Sequence, residues 1–463
     1  MNQIIKRFCQ CLLICICSCV SEPDPNGVFL GGQIINPSSK TVSLFKNNKL
    51  IDSIVLNEKN RFQRKYDSLD YGIFKFEHLP ENQNLLLEKG DSIWFRTNTS
   101  DFNSSLVFSG RGSAKNNFLM EIYLSLQKET RFLATQYAQN SNVFENVIDS
   151  LLEEKKLKWI QFDSLNQLTS KAKIISQASY VYPYANRKER YALIRGRKKI
   201  NEQDSSYFNF RKHLNYGERE LAYFEPYVTY MLNFLNQKAL LENEVFFQAK
   251  NNTDFNIRRL ALIDKLVATD DLRNNLARSV AYEELINFKN FKDHPKFLEF
   301  FLAMNTSFEY VAEIMSLQAS LQKMQAKQPL PDIMLEDSKF KKKSSKTVLK
   351  GKPTVIYFWS QTQMNHYKKT QERVDAFKKE LPEYRYVGIC IQPYNKLVLD
   401  YQKVMEINPL NQYAFVDFEN ASKKWVLTLL NKGIIIDKKG KILEGFGNFY
   451  SMNFKTILDK NKN

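Results

Sequence analysis

Cysteine is nearly missing from the body of this chain. Of its six cysteines, Cys9, Cys11, Cys15, Cys17 and Cys19 crowd the N-terminus, and Cys390 stands alone. That distribution excludes a disulfide-stapled scaffold. An N-terminal metal cluster is excluded too, because C-x-C-x3-C-x-C-x-C sits in an apolar run and lacks metal-ligand spacing. Histidine is equally scarce. His78, His213, His294 and His366 lie in separate segments, so neither a metal nor a cofactor is expected. The 15 glycines form no phosphate-binding loop, and no fixed-period repeat marks a solenoid. Acidic residues are also in deficit: 50 Asp and Glu against 67 Lys and Arg leave a formal charge of +17. Such an excess suits a partner carrying phosphate or carboxylate groups, such as an anionic lipid head group or an acidic glycan. The alternative is lysine dispersed over solvated helical faces, and the basic residues do run throughout the chain.

What is present divides into segments. The 463 residues, 43% hydrophobic and 25% charged, suit a globular chain of about two to four domains. Residues 1–8 carry Lys6 and Arg7, and residues 9–17 are a short apolar stretch, too short to span a bilayer. This has the form of a secretory leader over 1–18. Ile16-Cys17-Ser18-Cys19 resembles a bacterial lipobox, whose last cysteine is lipidated and becomes the first residue. The resemblance implies a lipid-anchored envelope protein of a Gram-negative type of cell, held by Cys19 in the outer membrane and facing the periplasm or the surface. Residues 19–27, with Glu22-Pro23 and Asp24-Pro25, read as a tether.

Residues 28–112 alternate short apolar runs with Pro, Asn and Gly punctuation, which predicts a β-sandwich. Gly32-x-Ile34, Ile51-Asp52-Ser53 and Leu87-Glu88-Lys89-Gly90-Asp91-Ser92-Ile93 resemble a β-domain that recurs ahead of thioredoxin-like domains in envelope lipoproteins. Residues 113–327 change to helical spacing and predict an irregular helical domain, with later helices over 218–241, 257–268, 271–288 and 297–325. Asp293-His294-Pro295 reads as a helix start. Tyr180, Tyr182, Tyr184, Arg187, Lys188, Arg190, Tyr191 and Lys198 interleave aromatic and basic side chains, as single-stranded nucleic-acid binders do. An exported chain is not expected to meet nucleic acid, so a helix with buried tyrosines and a basic outer face is the reading. Five Asp-Ser-(Ile/Leu) triplets, at Asp52, Asp67, Asp91, Asp149 and Asp163, resemble O-glycan acceptor motifs, and ordinary strand and turn composition explains them equally.

Residues 328–463 carry the most specific pattern. Thr354 to Trp359 are all β-branched or aromatic and predict a strand buried on both faces. Met364, Tyr367, Val374, Phe377 and Leu381 then fall on one helical face. Leu330-Pro331-Asp332-Ile333, Leu349-Lys350-Gly351-Lys352-Pro353 and Ile436-Asp437-x-x-Gly440-x-Ile442 resemble TlpA-type thioredoxin-like domains, with Lys339 to Lys343 read as a basic loop. The fold expected is thus multidomain α+β: an N-terminal β-sandwich, an irregular helical middle and a C-terminal thioredoxin-like α/β domain. In that family Trp-Cys-x-x-Cys begins the helix, and a cis-proline faces it. Here Trp359 is followed by Ser360 and Gln363, and Leu430-Asn431-Lys432-Gly433 stands in the loop of the proline.

A helix-terminal thiolate attacks a disulfide because the dipole and free amides lower its pKa. A serine hydroxyl is far less acidic and forms no disulfide. The resemblance therefore implies a redox-inactive domain with no catalytic residue. Ser-x-x-Gln has capping-box spacing, which predicts Ser360 as N-cap with Gln363 reaching back. His366, six residues on and about 120° away on one helix, is a poor base for Ser360. Cys390 in an apolar strand run reads as an inert thiol, and Asp417 and Glu419 as turn residues. The leading function is a lipid-anchored protein that binds or scaffolds an envelope protein. The rivals are a thiol-disulfide oxidoreductase relative serving envelope redox homeostasis through Cys390, and an anionic glycan- or lipid-binding protein.

Overall fold

The computed structural model describes residues 27–196, 200, 206–287 and 291–461. The leader, Cys19 and the tether before Gly27 lie outside the described residues. The chain divides into two compact units: the first reaches Ala192 and takes in two further segments, ending at Leu214 and at Tyr230, and the second runs from Met231 onward with two short stretches that begin at Leu193 and Asn215. The helical stretch expected as one domain over 113–327 is therefore shared: its first part belongs with the N-terminal strands and its last part with the C-terminal sheet.

In the first unit, strands β1 (Val28–Ile35), β2 (Thr41–Lys46), β3 (Lys49–Val55), β4 (Arg61–Tyr66), β5 (Gly72–His78), β6 (Glu81–Leu87), β7 (Ser92–Asn98) and β8 (Val107–Arg111) form two four-stranded sheets. Their orders are β4-β1-β7-β8 and β3-β2-β5-β6. Alternate residues turn inward, so Leu30, Leu44, Phe74, Phe76, Phe95 and Phe108 fill the sandwich. Asn47 and Asn48 have positive φ, 52° and 63°, and close the β2–β3 hairpin as a two-residue turn requires. β4, of which the sequence signalled only Phe62, is an edge strand with a single buried position. That is why its apolar alternation is faint.

Three long helices follow, Ser113–Gln136, Ser141–Asn166 and Ser170–Arg195. The first is anchored through Lys115, whose buried ammonium meets Asp91 at 2.7 Å and Glu88 at 3.1 Å. Burial pushes the Asp91 carboxyl up against the pull of that lysine. In the third helix Tyr180, Tyr182, Tyr184 and Tyr191 are all buried, and Lys188 is buried between Glu145 and Asp149 at 3.4 and 2.9 Å. The tyrosines are core, so they offer no stacking surface.

In the second unit, the stretch 297–325 expected as one helix is two, His294–Met304 and Phe308–Lys323. Ser307 interrupts it by accepting a bond from the Tyr310 amide at 3.3 Å, as an N-cap does. Asp293 is the N-cap of the first of these, with proline in its opening turn. Strands β9 (Met334–Asp337), β10 (Lys342–Ser344), β11 (Thr354–Trp359), β12 (Arg385–Cys390), β13 (Gln412–Phe415), β14 (Lys432–Ile436) and β15 (Ile442–Asn448) form one sheet in the order β10-β9-β13-β12-β11-β14-β15. Residues 342 and 343, expected in a loop, belong to β10 because the β9 backbone pairs with them.

β11 is buried at all six positions. It runs parallel to β12 and antiparallel to β14, and β15 continues antiparallel beyond β14. Helix Met364–Glu380 links β11 to β12, and helix Met452–Lys460 follows β15. That arrangement is thioredoxin-like, with β13 and helix Lys396–Val404 added after β12. The fold as a whole is multidomain α+β.

Gly388 in β12 admits a buried polar cluster. Gln371 and Gln412 donate to the Tyr357 hydroxyl at 3.0 and 2.8 Å. A Cβ at 388 would lie 2.5 Å from Gln412 Oε1 and 2.7 Å from Tyr357 Cζ. Gly388→Ala should therefore destabilise by about 1–3 kcal/mol through overpacking. Urea unfolding checks it, and an unchanged midpoint would refute the steric account.

Candidate functional site

The site is the corner where β11 runs into its helix. Trp359 ends the strand fully buried, its ring stacked 3.9 Å from that of Tyr367 and nearly parallel to it at 14°. Ser360 follows and is also buried. The helix begins only at Met364, with Gln363 as N-cap and no side-chain cap bond. The capping-box expectation for Ser360 and Gln363 is thus corrected. The Ser360 hydroxyl is engaged elsewhere: it accepts from Gln392 Nε2 at 2.8 Å and the Thr362 amide at 3.2 Å, and shares a bond with the Thr362 hydroxyl at 2.9 Å. Gln363 is exposed.

Amide side chains from the end of β12 hold this turn. Gln392 Oε1 accepts from the Gln361 amide at 3.0 Å. The Gln361 side chain donates to the Pro393 carbonyl and accepts from Asn395, each at 2.6 Å. Sequence reasoning missed Gln361, Gln392 and Asn395. The only local signal was Asn395, which caps the next helix by accepting from the Val398 amide at 2.9 Å.

Cys390 lies beside Trp359 in the parallel ladder and is fully buried. Its thiol donates to Gln392 Oε1 at 3.6 Å and accepts from Gln361 Nε2 at the same distance. Burial pushes this thiol up to about 12, so it carries no thiolate at neutral pH. Asn431 is exposed in the loop before β14, where its carbonyl accepts from the Phe449 amide at 2.7 Å. His366 Nε2 lies 3.0 Å from Asn431 Oδ1. Ser360 precedes the helix rather than sharing it with His366, so the 120° argument is replaced by a direct observation: the Ser360 hydroxyl bonds Gln392 and Thr362, and the imidazole Nε2 meets Asn431. Next to Asn431, Lys432 is buried and donates to the Trp425 and Val426 carbonyls at 2.6 and 3.0 Å.

The remaining candidates do structural work. Asp417 caps helix Phe418–Lys424 by accepting from the Asn420 amide at 3.0 Å, and Glu419 pairs with Lys423 at 2.7 Å. His78 accepts from the Ser38 amide at 3.0 Å, and His294 lies 3.1 Å from Gln318 Oε1. Of the Asp-Ser triplets, Asp52 binds Arg64 and Tyr66 at 2.8 and 3.1 Å, and Asp163 binds Lys173 at 2.8 Å. Among the described residues no group of three or more His, Cys, Asp or Glu could hold a metal ion, and no helix is long and apolar enough to cross a membrane.

No family model and no curated protein matches this chain. Solved structures do resemble it. A thioredoxin-like protein from Bacteroides caccae is 12% identical, covers 60% of this chain and 94% of its own, and has a TM-score of 0.32. The thioredoxin domain of a thiol-disulfide oxidoreductase from Bacteroides vulgatus is 20% identical over 26% of this chain and 85% of its own, with a TM-score of 0.21. An exposed lipoprotein thioredoxin from Streptococcus pneumoniae is 17% identical over 28% of this chain and 99% of its own, also with a TM-score of 0.21. The assignment of the C-terminal sheet as thioredoxin-like rests on its strand order and helix placement.

Proposed function

We propose that this chain is a lipid-anchored cell-envelope protein whose thioredoxin-like domain has lost disulfide exchange and holds a protein partner instead. One observation carries the reading: a buried serine hydroxyl, clasped by Gln392, stands where the chemistry of the fold needs an exposed thiolate. Thiol-disulfide exchange requires a thiolate that can reach a disulfide and a second thiol that resolves the mixed disulfide. Ser360 and Gln363 supply neither. Cys390, the cysteine among the described residues, is buried, protonated and enclosed by Trp359, Gln361 and Gln392. Exposed Gln363 and Asn431 on the rim of the same corner leave a polar surface for a partner. The lipobox-like Ile16-Cys17-Ser18-Cys19 supports the anchor and the envelope.

The oxidoreductase reading needs Cys390 to become reactive. An insulin-reduction assay on the mature chain decides between the two. The expected result is turnover at the blank rate, unchanged by Cys390→Ala; turnover that disappears with Cys390→Ala would overturn the proposal. A photo-crosslinker placed at Gln363 in intact cells tests the partner, and the absence of any discrete adduct removes that half of the reading.

A further inference from the structure

The outer face of sheet β4-β1-β7-β8 carries an organised row structure. The ladder registers set Gln63, Gly31, Trp94 and Ser109 side by side across the four strands. Two residues further along, they align Arg61, Gln33, Arg96 and Val107. No acidic residue occurs in either row. Arg61 and Arg96 are both exposed. They flank Gln33 from the two neighbouring strands, about 9–10 Å apart at ordinary strand spacing.

Trp94 sits at the centre and is 39% exposed, on a face where alternation places polar residues. Its ring packs 5.2 Å from Phe29. Gly31 makes room for it, since a Cβ there would stand 2.9 Å from Trp94 Cζ3. Trp94, Gln33, Gln63, Arg61, Arg96 and Ser109 line a cleft of about 920 Å3, with Val55 and Asn57 also in its wall.

The geometry points to a binding site for an anionic oligosaccharide, one bearing uronate or sulfate groups, on this face. The indole offers a flat apolar platform for the CH face of a sugar ring, which polar side chains cannot replace. Gln33, Gln63 and Ser109 supply donors and acceptors for hydroxyls at either side. The two guanidinium groups can each take a carboxylate or sulfate as a two-point partner, at a separation suited to charges on alternate sugar units. A cleft lined by both guanidinium groups and the indole fits a narrow oligomer better than a flat bilayer. The assignment is independent of the redox reading of the C-terminal unit.

Calorimetric titration of the mature full chain with oligogalacturonate and with sulfated dextran oligomers tests the site, with neutral dextran oligomers and phosphatidylglycerol vesicles as alternatives. The expected result is binding to at least one acidic oligomer and not to neutral dextran. Trp94→Ala should weaken it about tenfold or more, Trp94→Phe should restore part of the affinity, and Arg61→Ala with Arg96→Ala should reduce both affinity and salt dependence. Thermal melts of each variant confirm folding, since the altered side chains are on the surface. Lys378→Ala, on an exposed helix of the other unit, should change nothing. The proposal is overturned if neither acidic oligomer binds, if vesicles bind and oligomers do not, or if Trp94→Ala has no effect. Equal losses from Lys378→Ala and the arginine variants would also overturn it, as general charge attraction.

Discussion

Lys432→Met should flatten the pH dependence of stability between about pH 7 and pH 10. Lys432 is buried beside the candidate site, with its ammonium against the Trp425 and Val426 carbonyls and 4.8 Å above the Phe446 ring. Burial lowers its pKa to about 7, and the attraction of Glu444 only partly opposes this. The unfolded chain keeps the lysine protonated to an ordinary pKa near 10.5. Below pH 7 both states bind the proton, and the native state carries the full cost of a buried cation. Between pH 7 and 10.5 only the unfolded state binds it, so this group's contribution to stability rises by roughly 1.4 kcal/mol per pH unit.

The methionine variant lacks that rise and leaves two carbonyls without their donor. Its stability relative to the parent should therefore fall steadily as pH increases from 7 to 10. Val426 adds a loss that does not depend on pH. It is β-branched yet held at φ 48°, the left-handed region that such residues avoid, and the lysine bonds the carbonyls on both sides of its Cα. Urea unfolding of parent and variant at successive pH values measures the difference, and parallel profiles would sink the prediction.

Asp91→Ala should cost about 3–5 kcal/mol, because it strips a buried ammonium of its closest partner. Asp91 and Lys115 are 5% and 6% exposed, and the carboxylate also accepts the Glu88 amide at 2.7 Å. With alanine at 91, Lys115 retains only Glu88, at 3.1 Å, in a site closed to water. Gly112 shows how tightly the pocket is built: it has φ 89°, and a Cβ there would lie 2.0 Å from Asp91 Oδ1. Breaking a buried pair from one side is costly, whereas removing both charges is far less so. Asp91→Ala combined with Lys115→Met should accordingly recover part of the loss. Denaturant midpoints for the single and double variants form the check. A single-variant change below about 1 kcal/mol, or a double variant worse than the sum, would refute the pairing argument.

The corner at Ser360 shows how far local spacing reaches. Ser-x-x-Gln satisfies a capping box on paper, and nothing within the segment contradicts it. The competing partners, Gln392 and Asn395, arrive from the end of β12, more than thirty residues away in the chain. They bind the hydroxyl and the Gln361 amide group, and so delay the helix to Met364. The same limit applies to Lys432. A lysine after Leu430-Asn431 reads as a solvated loop residue until the Trp425–Val426 turn folds over it. Residues 342 and 343 likewise read as a basic loop until β9 provides a pairing edge.

Composition and periodicity were sufficient by themselves where one element's own residues settle its state. Six consecutive β-branched or aromatic residues required a strand covered on both faces, and β11 is buried throughout. Alternation with turn residues required strands before residue 112, and the isolated Cys390 in an apolar run required a buried thiol. That residues 360 to 363 hold no cysteine was also written in the residue types. Tertiary structure alone decided which hydroxyl, amine and imidazole meet which partner, how the helices divide between two units, and which side chains share a row on the outer sheet face. Those outcomes depend on register and on contacts between distant segments. Burial can be read along a chain, because it is a property of each residue's own chemistry, but a hydrogen-bond partner comes into being only when two remote pieces of backbone are brought to one place.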